Sequence, residues 1–223
     1  MRTYTIRRAS GEVPLCGEVA GTAWADAESL NVGDYPWFES GDKQGTTGRM
    51  LYDDTGICIQ FICEDKHIYA DHTEINSSVC EDSCVECFAM PEPAGDRRYF
   101  NLEINCCGNY LLGWGEGREE ISAAFVDPAI CGGHLRIASS IEGPTKEESP
   151  GDDGWWVAAA VPYELIDRIS GRRIRRPVSG TVWLANFYRC GGKTSDQYAC
   201  WSPIDWPAPD FHRPEFFGAL DFD

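Results

Sequence analysis

The feature that most constrains the fold is a side-chain alternation of period two, confined to short runs and broken each time by Gly, Asp, Asn or Pro. Successive side chains of a strand point to opposite faces, so such runs build sheets and cannot hold a helical apolar stripe. The clearest is Arg49-Met-Leu-Tyr-Asp-Asp-Thr-Gly-Ile-Cys-Ile-Gln-Phe-Ile-Cys63, two strands joined by a tight turn at Asp53-Asp54-Thr55-Gly56, with Ile57, Ile59, Phe61 and Cys63 on one face. Further strands are expected at 83–90, 99–105, 110–114, 135–141, 155–161, 181–189 and 219–222. Only Pro162-Tyr-Glu-Leu-Ile-Asp-Arg-Ile169 reads as a helix, with Pro at its start and Gly171 just past its end. The pattern predicts an all-β fold: an antiparallel β-sandwich of the jelly-roll or immunoglobulin-like kind with one short helix. With 223 residues, no repeat and no low-complexity linker, the chain reads as a single domain over 1–223, and 142–154 is a long exposed loop inside it.

Charge narrows the partners. Nineteen Lys and Arg against 36 Asp and Glu give a net charge of −17, which repels phosphate backbones and anionic headgroups. Nucleic acid and membrane are therefore excluded as expected partners, and no stretch reaches the roughly 18 apolar residues of a spanning helix. A neutral oligo- or polysaccharide meets no such repulsion, and surplus carboxylates can accept from its hydroxyls. No cofactor is required by the sequence, although structural calcium could sit at Asp53-Asp54 or Asp152-Asp153, where a turn explains the first pair equally well. Met1-Arg-Thr-Tyr-Thr-Ile-Arg-Arg8 lacks a following apolar segment of secretory length, so the chain as written is expected in the cytoplasm; a different natural start would allow an extracellular one. The eleven cysteines have no repeating spacing and are expected as free thiols, and the protein as a monomer.

Several segments, in order, resemble family 9 carbohydrate-binding modules and their stand-alone relatives. They are Trp24, Leu51-Tyr-Asp-Asp-Thr-Gly-Ile-Cys-Ile-Gln-Phe61, Glu81-Asp-Ser-Cys-Val-Glu-Cys-Phe88, and Tyr99-Phe-Asn-Leu-Glu-Ile-Asn105 with Gly108. Trp155-Trp-Val-Ala-Ala-Ala-Val-Pro162, Val182-Trp-Leu-Ala-Asn-Phe-Tyr-Arg189, Trp201-Ser-Pro203 and Phe211-His-Arg-Pro-Glu-Phe-Phe-Gly-Ala-Leu220 follow. The resemblance covers nearly the whole chain and implies a DOMON-like β-sandwich that binds carbohydrate without catalysis. It also implies that the strand beginning at Glu81 and the late Trp lie near a sugar site, and that the ligand is a β-glucan or xylan oligosaccharide or chain end. Members with a demonstrated sugar slot carry a Trp shortly before the Glu-Asp pair, where this chain has Ile75-Asn-Ser-Ser-Val79.

A pyranose has flat C–H faces and a rim of hydroxyls, so its binder needs an aromatic plate and planar polar side chains. Alternation puts Phe100, Leu102 and Ile104 on one face and Asn101, Glu103 and Asn105 on the other, and it puts Glu86 opposite Val85 and Cys87. Glu81, Glu86, Glu103, Asn105, Asn186 and Arg189 are the polar candidates, with Asn186 and Arg189 placed to fork onto vicinal hydroxyls. Asn186 could equally satisfy a neighbouring strand, and Glu86 and Glu103 could equally be solvated charges. Trp24, Trp156 and Trp183 read as core; Trp201 and Trp206, set among Pro and Asp, and Trp114, between two glycines, read as plates.

Other chemistry fits less well. Cys80, Cys84 and Cys87 have a CxxxCxxC spacing, but Cys84 and Cys87 would face opposite sides of one strand, which no iron–sulfur loop allows. A polysaccharide hydrolase needs two carboxylates across a cleft, and with 36 acids the sequence cannot single out a pair. A haem- or metal-binding DOMON-type domain would draw on His67, His72, His134, His212, Met50 or Met90, none of which falls in a ligand motif. Carbohydrate binding ranks first, hydrolysis second and haem or metal binding third.

Overall fold

The computed structural model describes residues 1–131, 133–147, 149–192 and 197–223. Its described residues form twelve strands: β1 (Thr3–Arg8), β2 (Leu30–Asn31), β3 (Thr46–Tyr52), β4 (Gly56–Glu64), β5 (Ser83–Met90) and β6 (Tyr99–Asn105) come first. Next are β7 (Tyr110–Gly115), β8 (Arg136–Ser139), β9 (Gly154–Pro162), β10 (Val182–Gly191), β11 (Tyr198–Cys200) and β12 (Gly218–Phe222). Three short helices, α1 (Arg118–Ala123), α2 (Pro128–Cys131) and α3 (Tyr163–Ser170), and three 3-10 turns complete the fold.

The strands run in the order β7-β6-β5-β10-β12-β1-β3-β4-β9-β8, with β11 on β10 and β2 on β3. The chain start is the seam. Thr3 to Ile6 pair with Ala219 to Phe222 of β12, whereas Arg7 and Arg8 pair with Leu51 and Tyr52 of β3, so one strand joins two halves of the sheet. The halves curl to face each other: Val85 and Cys87 of β5 with Leu102 and Ile104 of β6 meet Ile59 and Phe61 of β4 and Val157 and Ala159 of β9. Phe61 and Phe187 touch edge to face across the seam, ring centroids 6.2 Å apart. Burial of this apolar set is the main stabilising contribution, about 1.5–3 kcal/mol for each large side chain removed from water.

The hairpin forms as expected. Asp53 Oδ1 accepts from the backbone N–H groups of Thr55 and Gly56, which closes the turn, and Ile57, Ile59, Phe61 and Cys63 all enter the core. Helix α3 stops at Gly171, whose φ of 73° is the left-handed cap that glycine takes without strain. Two expectations need correction. The pairing is not wholly antiparallel, because both partners of β1 run parallel to it, and the described residues form three helices rather than one. Helices α1 and α2 span six and four residues, too short for an apolar stripe to repeat.

Candidate functional site

On β5, β6 and β10 one row of side chains enters the core and the other lines the outer face. The register places Tyr188, Glu86 and Glu103 side by side there, flanked by Asn186, Phe88 and Asn101 on one side and by Cys190, Cys84 and Asn105 on the other. Polar groups on this face are not left to bulk water. The 3-10 turn Val79–Glu81 packs over β5 and β6, helix α1 packs against β7, and Phe211 and His212 cover the β5 and β10 rows. What remains open is a cleft of about 480 Å³, within the range of small-ligand sites.

Its floor is a pair of carboxyl groups. Glu86 and Glu103 are register partners on adjacent strands, which sets their Cβ atoms about 4.5–5.5 Å apart. They are 3% and 6% exposed. Glu103 Oε1 accepts from Asn101 Nδ2 at 2.9 Å, but its Oε2 has no hydrogen-bond partner. Glu86 Oε1 accepts from the Cys190 thiol at 3.2 Å. Burial pushes Glu103 up to about 7, with the Asn101 bond, the Arg118 charge and the nearby Cys80 thiol pulling back, although that thiol makes no well-formed hydrogen bond to Oε2. Burial first, and the neighbouring Glu103 second, lift Glu86 well above the ordinary carboxylate range. Both groups therefore resist losing their protons, and a carboxyl that keeps one can both donate to and accept from a hydroxyl.

The walls add one cation and several rings. Arg118, at the start of α1, donates to Asp210 Oδ1 through Nη2 at 2.8 Å and Nε at 3.2 Å. Burial opposes the Asp210 charge, yet the Arg118 bonds hold its pKa below the usual value. His212 is pushed down to about 4 by burial and by Arg118, so its imidazole is neutral, with Nδ1 2.9 Å from the Tyr99 hydroxyl. Phe211 stacks on Tyr188 at 4.1 Å between centroids and meets the edge of Tyr198, which lines the opening.

Glu81, Glu86 and Glu103 line this cleft together. Glu86 and Glu103 are not solvated charges, because the covering turn and helix shield them. The other sequence candidates lie elsewhere. Trp201, expected as an exposed plate, is 4% exposed in the core: its ring lies over Gly218, where an added Cβ would come within 2.4 Å of it, and meets Phe187 edge-on. Asn186 is consumed by its own neighbourhood, donating to the Ser202 carbonyl and accepting from the Ser202 and Phe187 N–H groups. Asn105 is likewise bonded to Asp82 Oδ2, the His72 carbonyl and two turn N–H groups. Arg189 cannot fork with Asn186, since odd and even positions of β10 face opposite sides; its guanidinium points inward to Asp65 at 2.5 Å. Trp114 packs on the inner core beneath Arg98, and Trp206 is 39% exposed under Arg213 but outside the cleft.

Arg118, Tyr198 and Asp210 were not singled out from the sequence. Arg118 and Asp210 are 92 positions apart, and nothing local signals that they meet. At the position of the absent Trp, Asn76 adopts φ 63° and ties the loop to β7 by accepting from the Leu112 N–H. Cys84 and Cys87 face opposite sides, as alternation requires. Among the described residues no three His, Cys, Asp or Glu side chains converge closely enough to hold a metal ion, and Asp53 and Asp152 serve as turn acceptors. None of the described helices is long and apolar enough to cross a membrane.

The sequence profile of carbohydrate-binding family 9 matches residues 19–222. A candidate carbohydrate-binding protein from Bacteroides uniformis superposes with a TM-score of 0.84 at 26% identity, covering 100% of this chain and 99% of the other. A family 9 module from Caldicellulosiruptor kristjanssonii, solved with cellotriose, superposes with a TM-score of 0.63 at 14% identity, covering 99% and 93%. A family 9 module from the same organism, solved with glucose, gives 0.62 at 15% identity, covering 98% and 95%. These two likenesses speak to the fold alone. No functionally curated protein matches the chain.

Proposed function

Because the chain belongs to carbohydrate-binding family 9, we propose that it binds a short β-linked gluco- or xylo-oligosaccharide, or the end of such a chain, without cleaving it. The observation that carries this is the cleft itself: a buried carboxyl pair flooring a space of about 480 Å³ that Tyr198 and Phe211 wall with ring surface. A carboxyl pair that holds a proton matches vicinal hydroxyls, which both donate and accept, and an aromatic ring matches the C–H face of a pyranose. Binding of this kind needs no cofactor. The curled sheet is read as a DOMON-like sandwich with the site on the outer face of one layer, and the cellotriose and glucose held by the Caldicellulosiruptor modules supply the first ligands to try.

Calorimetric titration with cellotriose and xylotriose tests the proposal. Saturable heat is expected, and Tyr198→Ala should weaken it about 2- to 10-fold, the contribution of one aromatic contact. A flat titration across a broad glycan panel would overturn it. Release of reducing sugar by the wild type, abolished by Glu86→Gln or Glu103→Gln, would instead assign the carboxyl pair to hydrolysis.

A further inference from the structure

Two acidic side chains share the floor of the cleft with no cation between them. Of the described residues lining it, Arg118 alone carries a permanent positive charge, and two of its nitrogens are already bonded to Asp210. His212 is neutral, and Glu81 at the rim adds a further carboxylate, paired with His72 at 3.6 Å outside the cleft. Glu103 is more than nine-tenths buried, lines the cavity, and leaves Oε2 without a partner. Buried carboxylates in proteins are paired with a cation or a metal. Here no cationic side chain stands between them among the described residues, and no three His, Cys, Asp or Glu side chains converge closely enough to hold a metal ion in their place.

We infer that the missing counter-charge arrives with the ligand, and that among sugars of suitable shape the cleft prefers an amino sugar, seating its protonated amine between Glu86 and Glu103. This rests on the cleft being the sugar site and names the class of sugar it favours. An ammonium offers three donors and no acceptor, so two facing carboxylates satisfy it better than they satisfy a hydroxyl. Its hydrogen bonds to them are charge-assisted, the stronger kind. A neutral sugar leaves the pair holding its proton, whereas an ammonium allows both groups to ionise.

Three trimers with the same β-1,4 geometry isolate the effect: cellotriose, the glucosamine trimer, and the N-acetylglucosamine trimer, which restores bulk but removes charge. Titrated near neutral pH in about 0.15 M salt, where surface attraction is screened, the glucosamine trimer should bind at least about tenfold more tightly than either of the others, the least that one hydrogen bond to a charged group contributes. Glu103→Gln and Glu86→Gln should each bring that ratio toward one. The wild-type comparison decides the question even if a variant folds poorly. Equal binding of cellotriose and the glucosamine trimer would overturn the inference and leave sugar binding standing, while silence from all three would remove both. A preference that survives both substitutions would be diffuse attraction to an acidic surface, and heat from calcium alone that depends on Glu103 would mark a metal site; either result overturns the inference.

Discussion

The Asp65–Arg189 pair and the Glu86–Glu103 pair are both buried, and Arg189, Glu86 and Glu103 stand on neighbouring strands, yet the two pairs are built in opposite ways. Asp65 lies inside the curl. Its Oδ2 accepts from Arg189 Nη2, the Trp155 indole and the Ser83 hydroxyl, and its Oδ1 accepts from the His67 N–H, while the Arg189 guanidinium lies over the Trp155 ring. Charge is matched and nearly every lone pair is used. Glu86 and Glu103, on the other face, are alike in charge, lack a matched cation, and open onto a cleft. A fold can bury charge for its own stability only when it supplies the partner; where it supplies none, the deficit is available to a ligand.

Three substitutions test that contrast. The largest effect is expected for Arg189→Met, which takes the guanidinium away from Asp65 inside the core: a loss of about 3–5 kcal/mol in denaturant unfolding. A loss below 1 kcal/mol would show that Asp65 is not the closed centre described. Next comes Glu103→Gln, whose effect depends on pH. The folded state raises Glu103 from its usual 4.5 to about 7, so between those values the folded protein keeps a proton that the unfolded chain has released. That contribution is full below about pH 4.5 and is lost as pH climbs through 7, on the order of 3 kcal/mol in all. Stability of the unliganded wild type should therefore fall relative to Glu103→Gln across this window, and a difference that stays flat with pH would contradict the burial argument. The smallest effect is expected for Cys190→Ala, which removes the thiol donor to Glu86 Oε1 and should cost about 0.5–1.5 kcal/mol at neutral pH. No change at all would mean that this thiol contributes nothing to holding the carboxyl.

Strands β5 and β6 were legible to the residue, and so was which of their side chains face out, because alternation is a local property that burial of one face enforces. Strand β1 was missed. Thr3-Tyr-Thr-Ile-Arg-Arg8 alternates too, but its significance lies in pairing with β12, more than two hundred residues later. The tryptophans show the limit most plainly. Trp201 has the same Pro- and Asp-rich surroundings as Trp206, yet one fills a space that Gly218 leaves open and the other stays on the surface. No local rule separates them, since the deciding contact comes from a distant strand.

By itself the sequence determined the period-two elements, the Asp53 turn, the outward row carrying Glu86 and Glu103, and the family, all of which depend on residues near one another or on their order along the chain. Tertiary structure alone decided that those two carboxyls are opposed, buried and unmatched, that Arg118 meets Asp210 at their side, and that Asn186, Arg189 and Trp201 are spent on the fold. Register between strands and the covering of a face are set by packing of segments far apart in sequence, and desolvation, which turns an ordinary glutamate into a proton-holding one, exists only once that packing is complete.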